Sequence, residues 1–66
     1  MVLVTVKEYN SGVGAIVFME NSHSKGGSTF MRACTEALKR SKQNDAVFSV
    51  YENKKKMISY QNGKMK

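Results

Sequence analysis

A chain of 66 residues with eleven Lys plus Arg against five Asp plus Glu carries a formal net charge of +6. This length excludes a multidomain enzyme and leaves one small basic domain with a marginal core. One Cys and one His supply neither an internal disulfide nor a four-ligand zinc site, so a partner chain is the remaining way to add buried surface.

Val2 to Tyr9 alternates, with the β-branched Val2, Val4 and Val6 on one side, and predicts a first strand. Asn10, Ser11 and Gly12 form a turn cluster, and Val13 to Glu20 is the second strand. A three-residue bulged turn then sets Val6 opposite Ile16 and Val4 opposite Phe18. Residues 21–27 are small and polar and read as a connection. Ser28 or Thr29 offers the N-cap oxygen of a helix. Phe30, Ala33, Cys34, Ala37, Leu38 and Ser41 recur at helical spacing, and Gln43-Asn44-Asp45 ends the run. Glu36 and Arg40 make an i,i+4 pair on the other side. Ala46 to Glu52 and Lys56 to Gln61 read as the third and fourth strands. A loop of Asn53, Lys54 and Lys55 sets Glu52 opposite Lys56, Val50 opposite Ile58 and Phe48 opposite Tyr60. Asn62-Gly63 closes the last strand, and residues 64–66 read as a frayed basic tail after a single domain of residues 1–63.

The order β-β-α-β-β predicts an α+β fold: a four-stranded antiparallel sheet with the helix across one face. The helix stripe meets Val4, Val6, Ile16, Phe18, Phe48, Val50 and Ile58. The opposite face carries Leu3, Thr5, Lys7, Tyr9, Val17, Met19, Val47, Tyr51 and Met57, and it is too apolar for a plain wet surface. Leu3, Val17, Met19, Tyr51 and Met57 are therefore the expected dimer or partner face, and a homodimer is expected. A slip of one residue in a strand would exchange the two faces.

The charge is uneven. Residues 1–38 are neutral, with Lys7, Lys25 and Arg32 against Glu8, Glu20 and Glu36. The whole excess lies in residues 39–66, which suggests a directed positive surface. Lys54, Lys55 and Lys56 sit at a hairpin tip that could reach a nucleic-acid groove or follow phosphates. Lys39, Arg40 and Lys42 at the helix end form a second candidate phosphate-contacting cluster. The plainer reading of both is a solvated, solubilising surface. Lys25, Gly26, Gly27 and Ser28 offer a weaker possible phosphate contact at the helix start, against an ordinary capped connection.

No catalytic set can be assembled. His23 lies in a polar loop with no orienting partner near it in sequence. Cys34 falls in the helix stripe, where it acts as a small hydrophobe. Gly12-Val13-Gly14 lacks the third glycine of a dinucleotide fingerprint. No apolar run nears the roughly 18 residues of a membrane-spanning helix. The expectation is a non-enzymatic, cytoplasmic protein with no metal, cofactor or membrane partner. It binds nucleic acid or another polyanion through phosphate contacts as a homodimer. The alternative is an inhibitor or adaptor that acts on a cellular or host protein through the apolar sheet face or a strand edge. In size, basicity and lack of Pro the chain resembles the small accessory proteins of phages and mobile elements.

Overall fold

The computed structural model describes all of residues 1–66. The elements are β1 (Val2–Asn10), β2 (Val13–Ser22), α1 (Ser28–Gln43), β3 (Val47–Glu52), β4 (Lys55–Gln61) and β5 (Lys64–Met65). All strands belong to one sheet in the order β2-β1-β3-β4-β5, with every neighbour antiparallel. The α+β class and the single helix are as expected, but the sheet has five strands rather than four. Lys64 and Met65, read as part of a frayed tail, are the fifth strand. Asn62 and Gly63 adopt φ 55 and φ 75, the left-handed pair of a two-residue hairpin turn. Tyr60 then faces Met65, and the Lys66 N–H donates to the Ser59 carbonyl at 2.8 Å.

The two longer hairpins also turn on two residues, where three were expected. Ser11 and Gly12 have φ 57 and φ 83, and Asn53 has φ 58. Each shorter turn is followed by a bulge that inserts one extra residue. In β2 the register shifts between Val6 and Lys7, so Lys7 faces Ile16, Val6 faces Phe18 and Val4 faces Glu20. The expected pairs Val6–Ile16 and Val4–Phe18 are therefore displaced. Val17, the bulged residue, packs on the core. Ile16 turns to the opposite face and is 56% exposed. The two residues exchange the roles predicted for them. In β4 the bulge at Met57 has a milder effect. Glu52 faces Lys55 instead of Lys56, while Val50–Ile58 and Phe48–Tyr60 pair as expected.

The central strands β1 and β3 supply Val4, Val6, Phe48 and Val50, each at most 1% exposed. Against them α1 buries Thr29, Ala33, Ala37 and Ser41, a line of small side chains four residues apart that lets the helix lie close on the sheet. Phe30, Cys34, Phe18, Ile58 and Tyr60 pack around this core. The N-cap is Gly27, with no side-chain cap, in place of Ser28 or Thr29. The helix start is held instead from the sheet. The buried Glu52 carboxylate accepts the Gly26 N–H at 2.7 Å, where a negative charge suits the positive end of the helix. The helix end rests on the β4–β5 turn. There the Gly63 N–H donates to Ser41 Oγ at 3.1 Å, and a Cβ on Gly63 would lie 2.7 Å from Lys42 Cγ. No helix is long and apolar enough to cross a membrane.

The open sheet face as candidate binding site

The helix covers one side of the sheet and leaves the other open. Paired residues share a side, so the registers assign each side chain. Leu3, Thr5, Lys7 and Tyr9 of β1 stand beside Tyr51, Ser49 and Val47 of β3. Met19 and Ile16 of β2 join them through Thr5 and Lys7, and Ser59 and Lys56 of β4 join through Ser49 and Tyr51. Of the expected partner-face residues, Leu3, Met19, Tyr51 and Met57 border this side. Val17 does not, for the reason given by the bulge, and Ile16 takes its place.

This face is not flat. The Tyr9 and Tyr51 hydroxyls meet at 2.6 Å, and the two tyrosines reach over the middle of the sheet. Thr5 and Ser49 beneath are 5% and 2% exposed although no helix covers them. Tyr9 can lean across β2 because position 14 is glycine. A Cβ there would sit 2.8 Å from the Tyr9 ring. Ser49 Oγ and Ser59 Oγ are hydrogen-bonded at 2.9 Å. The Lys7 ammonium lies 5.1 Å from the centre of the Tyr51 ring, a cation–π distance. The Tyr51 phenol is held above its ordinary value, first because its proton is engaged by Tyr9 and second by burial, with the Ser49 hydroxyl acting in the opposite sense.

Acidic side chains are confined to one side of the sheet, and basic ones stand on both. All five carboxylates lie away from the open face. Glu8 stands opposite Phe48 on the core side. Glu20 stands opposite Val4 and holds Arg32 of α1 in a two-bond pair at 2.8 and 2.9 Å. Glu36 pairs with Arg40 at 2.7 Å, the predicted i,i+4 contact. Asp45 lies in the exposed α1–β3 connection, and Glu52 is buried beside Gly26. The hydrogen bond from Arg32 holds the Glu20 carboxyl below its usual value. The open face keeps Lys7 and Lys56 with no opposing carboxylate.

The two basic clusters lie at opposite ends of the molecule. Lys54, Lys55 and Lys56 surround the β3–β4 turn, at the helix N-terminal end. Lys39, Arg40 and Lys42 are at the helix C-terminal end beside Gly63. The length of β4, about 20 Å for its seven residues, separates them. The β3–β4 turn does not protrude, because Asn53 is tied to Leu3 through its N–H at 2.7 Å and its Oδ1 at 3.1 Å. Lys54 and Lys55 instead line a shallow hollow with Glu52 and with Lys25, a neighbour that sequence spacing did not indicate. The Gly26 donor proposed for a phosphate is already engaged by Glu52. Arg40 is committed to Glu36.

Elsewhere the chemistry is quiet. Burial pushes the Cys34 thiol up, against a lowering hydrogen bond from Tyr60 and with Glu52 adding to the rise, so it stays protonated at neutral pH. His23 is exposed in the β2–α1 connection. No three of the His, Cys, Asp and Glu side chains come together as metal ligands. Comparison with models of known protein families, with curated proteins and with solved structures returned no match.

Proposed function

We propose that this protein binds single-stranded nucleic acid on the open face of its sheet through phosphate contacts and aromatic packing. The observation that carries the reading is the confinement of acidic side chains to the other side of the sheet. Lys7 and Lys56 flank two tyrosines on a face with no carboxylate side chain, and Lys25, Lys54 and Lys55 outnumber the single Glu52 carboxylate around the hollow at one end. A sheet face with half-buried rings suits unpaired bases, which stack, better than it suits a duplex groove. Lys39 and Lys42, at the far end, contribute a weaker, long-range attraction. The test is fluorescence anisotropy of labelled single strands over a salt series. The logarithm of affinity should fall linearly with the logarithm of salt, by about 0.7 for each neutralised phosphate. Lys7→Ala with Lys56→Ala should flatten that slope more than Lys39→Ala with Lys42→Ala. No binding at low salt refutes the proposal.

The working unit is a homodimer joined through β2. That strand is a ten-residue free edge, while the opposite edge is the two-residue β5. Its one charged residue, Glu20, is paired with Arg32. Exposed apolar side chains flank the edge on both sides: Ile16 and Met19 on the open face, Met31 on the helix side. Face-to-face packing would oppose Lys7 and Lys56 of both copies, which like-charge repulsion disfavours. Edge pairing leaves the basic face open and doubles it. Met31→Lys, which leaves the open face untouched, should give a monomer in sedimentation equilibrium. A wild-type monomer at high micromolar concentration refutes the dimer.

A second reading rests on the apolar half of the same face, where Leu3, Ile16 and Met19 border one groove: an inhibitor or adaptor docking on a protein. Recovery of one defined protein after nuclease treatment favours it, and loss of all partners favours nucleic acid.

A further inference from the structure

We propose that Tyr9, Tyr51, Ser49 and Ser59, with Lys56, form a seat for the phosphate group of a nucleotide. This rests on the nucleic-acid reading and names the ligand chemistry of one part of that face.

The four hydroxyls border a single shallow hollow of about 590 Å³, with Lys56 and Lys66 on its rim. The Tyr9–Tyr51 contact uses one of the two O–H protons in that pair, and the Ser49–Ser59 contact uses one of the two in the other. No other hydrogen bond within 3.5 Å involves these side chains, and the Ser49 hydroxyl has only the smallest influence on Tyr51. Each pair therefore keeps one O–H free to donate. Ser49 is 2% exposed, so the half-exposed Ser59 is placed to turn its proton outward. Two such donors and the Lys56 ammonium converge on one hollow that no carboxylate side chain borders. An anion with several acceptor oxygens matches that set, because charge-assisted hydrogen bonds are the strong ones. A cation or a neutral apolar ligand leaves the donors unmatched. Tyr51 can also lay a base or sugar against its ring beside the phosphate. A terminal phosphate and an internal phosphodiester both present anionic non-bridging oxygens to these donors.

The chain has three Tyr and no Trp, and two of the three line this hollow, so intrinsic tyrosine emission responds to its occupancy. Wild type would be titrated with thymidine monophosphate and with thymidine, and then with oligothymidylate bearing a 5′-phosphate or a 5′-hydroxyl. Emission should respond to the monophosphate and not to the nucleoside. Tyr9→Phe combined with Tyr51→Phe keeps both rings and removes that pair's donor, and Ser59→Ala removes the second donor, because Ser49 is 2% exposed. Each should weaken monophosphate binding, followed for the variants by calorimetry, about tenfold, the loss expected for one hydrogen bond to a charged group. Thr35→Ala, on the exposed side of α1, should leave it unchanged. Thermal unfolding of each variant near that of wild type separates lost contacts from lost folding. Preference for the 5′-phosphorylated strand assigns the seat to a terminus, and equal binding assigns it to the backbone. Equal response to nucleoside and monophosphate, or unchanged binding by both donor-deleted variants, overturns the seat. If wild type binds oligonucleotide and those variants bind it equally well, the seat fails while the nucleic-acid reading stands. If wild type binds the monophosphate and no oligonucleotide, the seat stands and the nucleic-acid reading fails.

Discussion

Replacing Glu52 by Gln tests how the helix is held on the sheet. Glu52 is 5% exposed, and its Oε2 takes the Gly26 N–H at 2.7 Å, one residue before the N-cap. Gln keeps the shape and an acceptor oxygen and loses the charge. A hydrogen bond to a charged group contributes about 1.5–3 kcal/mol against about 0.5–1.5 for a neutral one, so the exchange forfeits about 1 kcal/mol. Loss of a negative charge at a helix N-terminus removes roughly 0.3–1 kcal/mol more. A domain of this length has a total of about 3–10 kcal/mol at roughly 0.05–0.15 kcal/mol per residue, so the change is a sizeable share of it. At about 4–8 °C per kcal/mol, Tm should fall by roughly 5–15 °C. The assay is circular dichroism on heating, with a urea titration to verify an unchanged slope. Glu52→Ala should fall further, because Gly26 is then unpaired beside a void. Glu36→Gln, at the exposed pair with Arg40, should stay within about 0.5 kcal/mol of wild type. The opposing term is the cost of burying a carboxylate, which Gln escapes. A Tm equal to or above wild type for Glu52→Gln means that this cost outweighs the bond, and the anchoring argument is then wrong.

Three further outcomes are expected. Gly63→Ala puts a Cβ 2.7 Å from Lys42 Cγ at φ 75. It should cost about 1–2 kcal/mol and abolish hydrogen-exchange protection of the Lys66 N–H; persistence of that protection would contradict the paired β5. Cys34 should react slowly with a thiol reagent at neutral pH and rapidly in urea, because burial raises its pKa; native and unfolded rates that coincide would count against the packing. The phenols of Tyr51 and Tyr60 are raised above the ordinary value of about 10, by the Tyr9 bond and by burial respectively. The unfolded chain ionises first, so their contribution is complete below pH 10 and is lost as pH rises through the higher folded values. Ultraviolet titration should show tyrosine ionisation extending above the ordinary range, and Tyr9→Phe should bring Tyr51 back toward normal.

Local pattern was enough to read the strands, the helix and their order. The valines of β1 alternate, and the stripe from Phe30 to Ser41 recurs at helical spacing, because each element must turn one side to the core. Pattern also carried Val50–Ile58 and Phe48–Tyr60, since the Met57 bulge cancels the error in the turn length. It failed at Ile16 and Val17. Both are apolar, so a bulge between two equally suitable residues leaves no trace in an alternation. It failed at β5, whose two residues are too few to show a period. It failed at Glu52, whose partner Gly26 is 26 positions away.

The sequence alone determined a small basic α+β domain with one sheet side left uncovered, because hydrophobic periodicity and charge are properties of neighbours along the chain. The tertiary structure decided what that side is. Only pairing of β1 with β3 brings Tyr9 and Lys7 to Tyr51, and only the registers send all five carboxylates elsewhere. The charge excess is divided along the chain between residue 38 and residue 39, whereas in space the carboxylate side chains are kept off one side of the sheet and basic residues stand on both. Contacts between residues far apart in sequence set that division, and no local pattern encodes them.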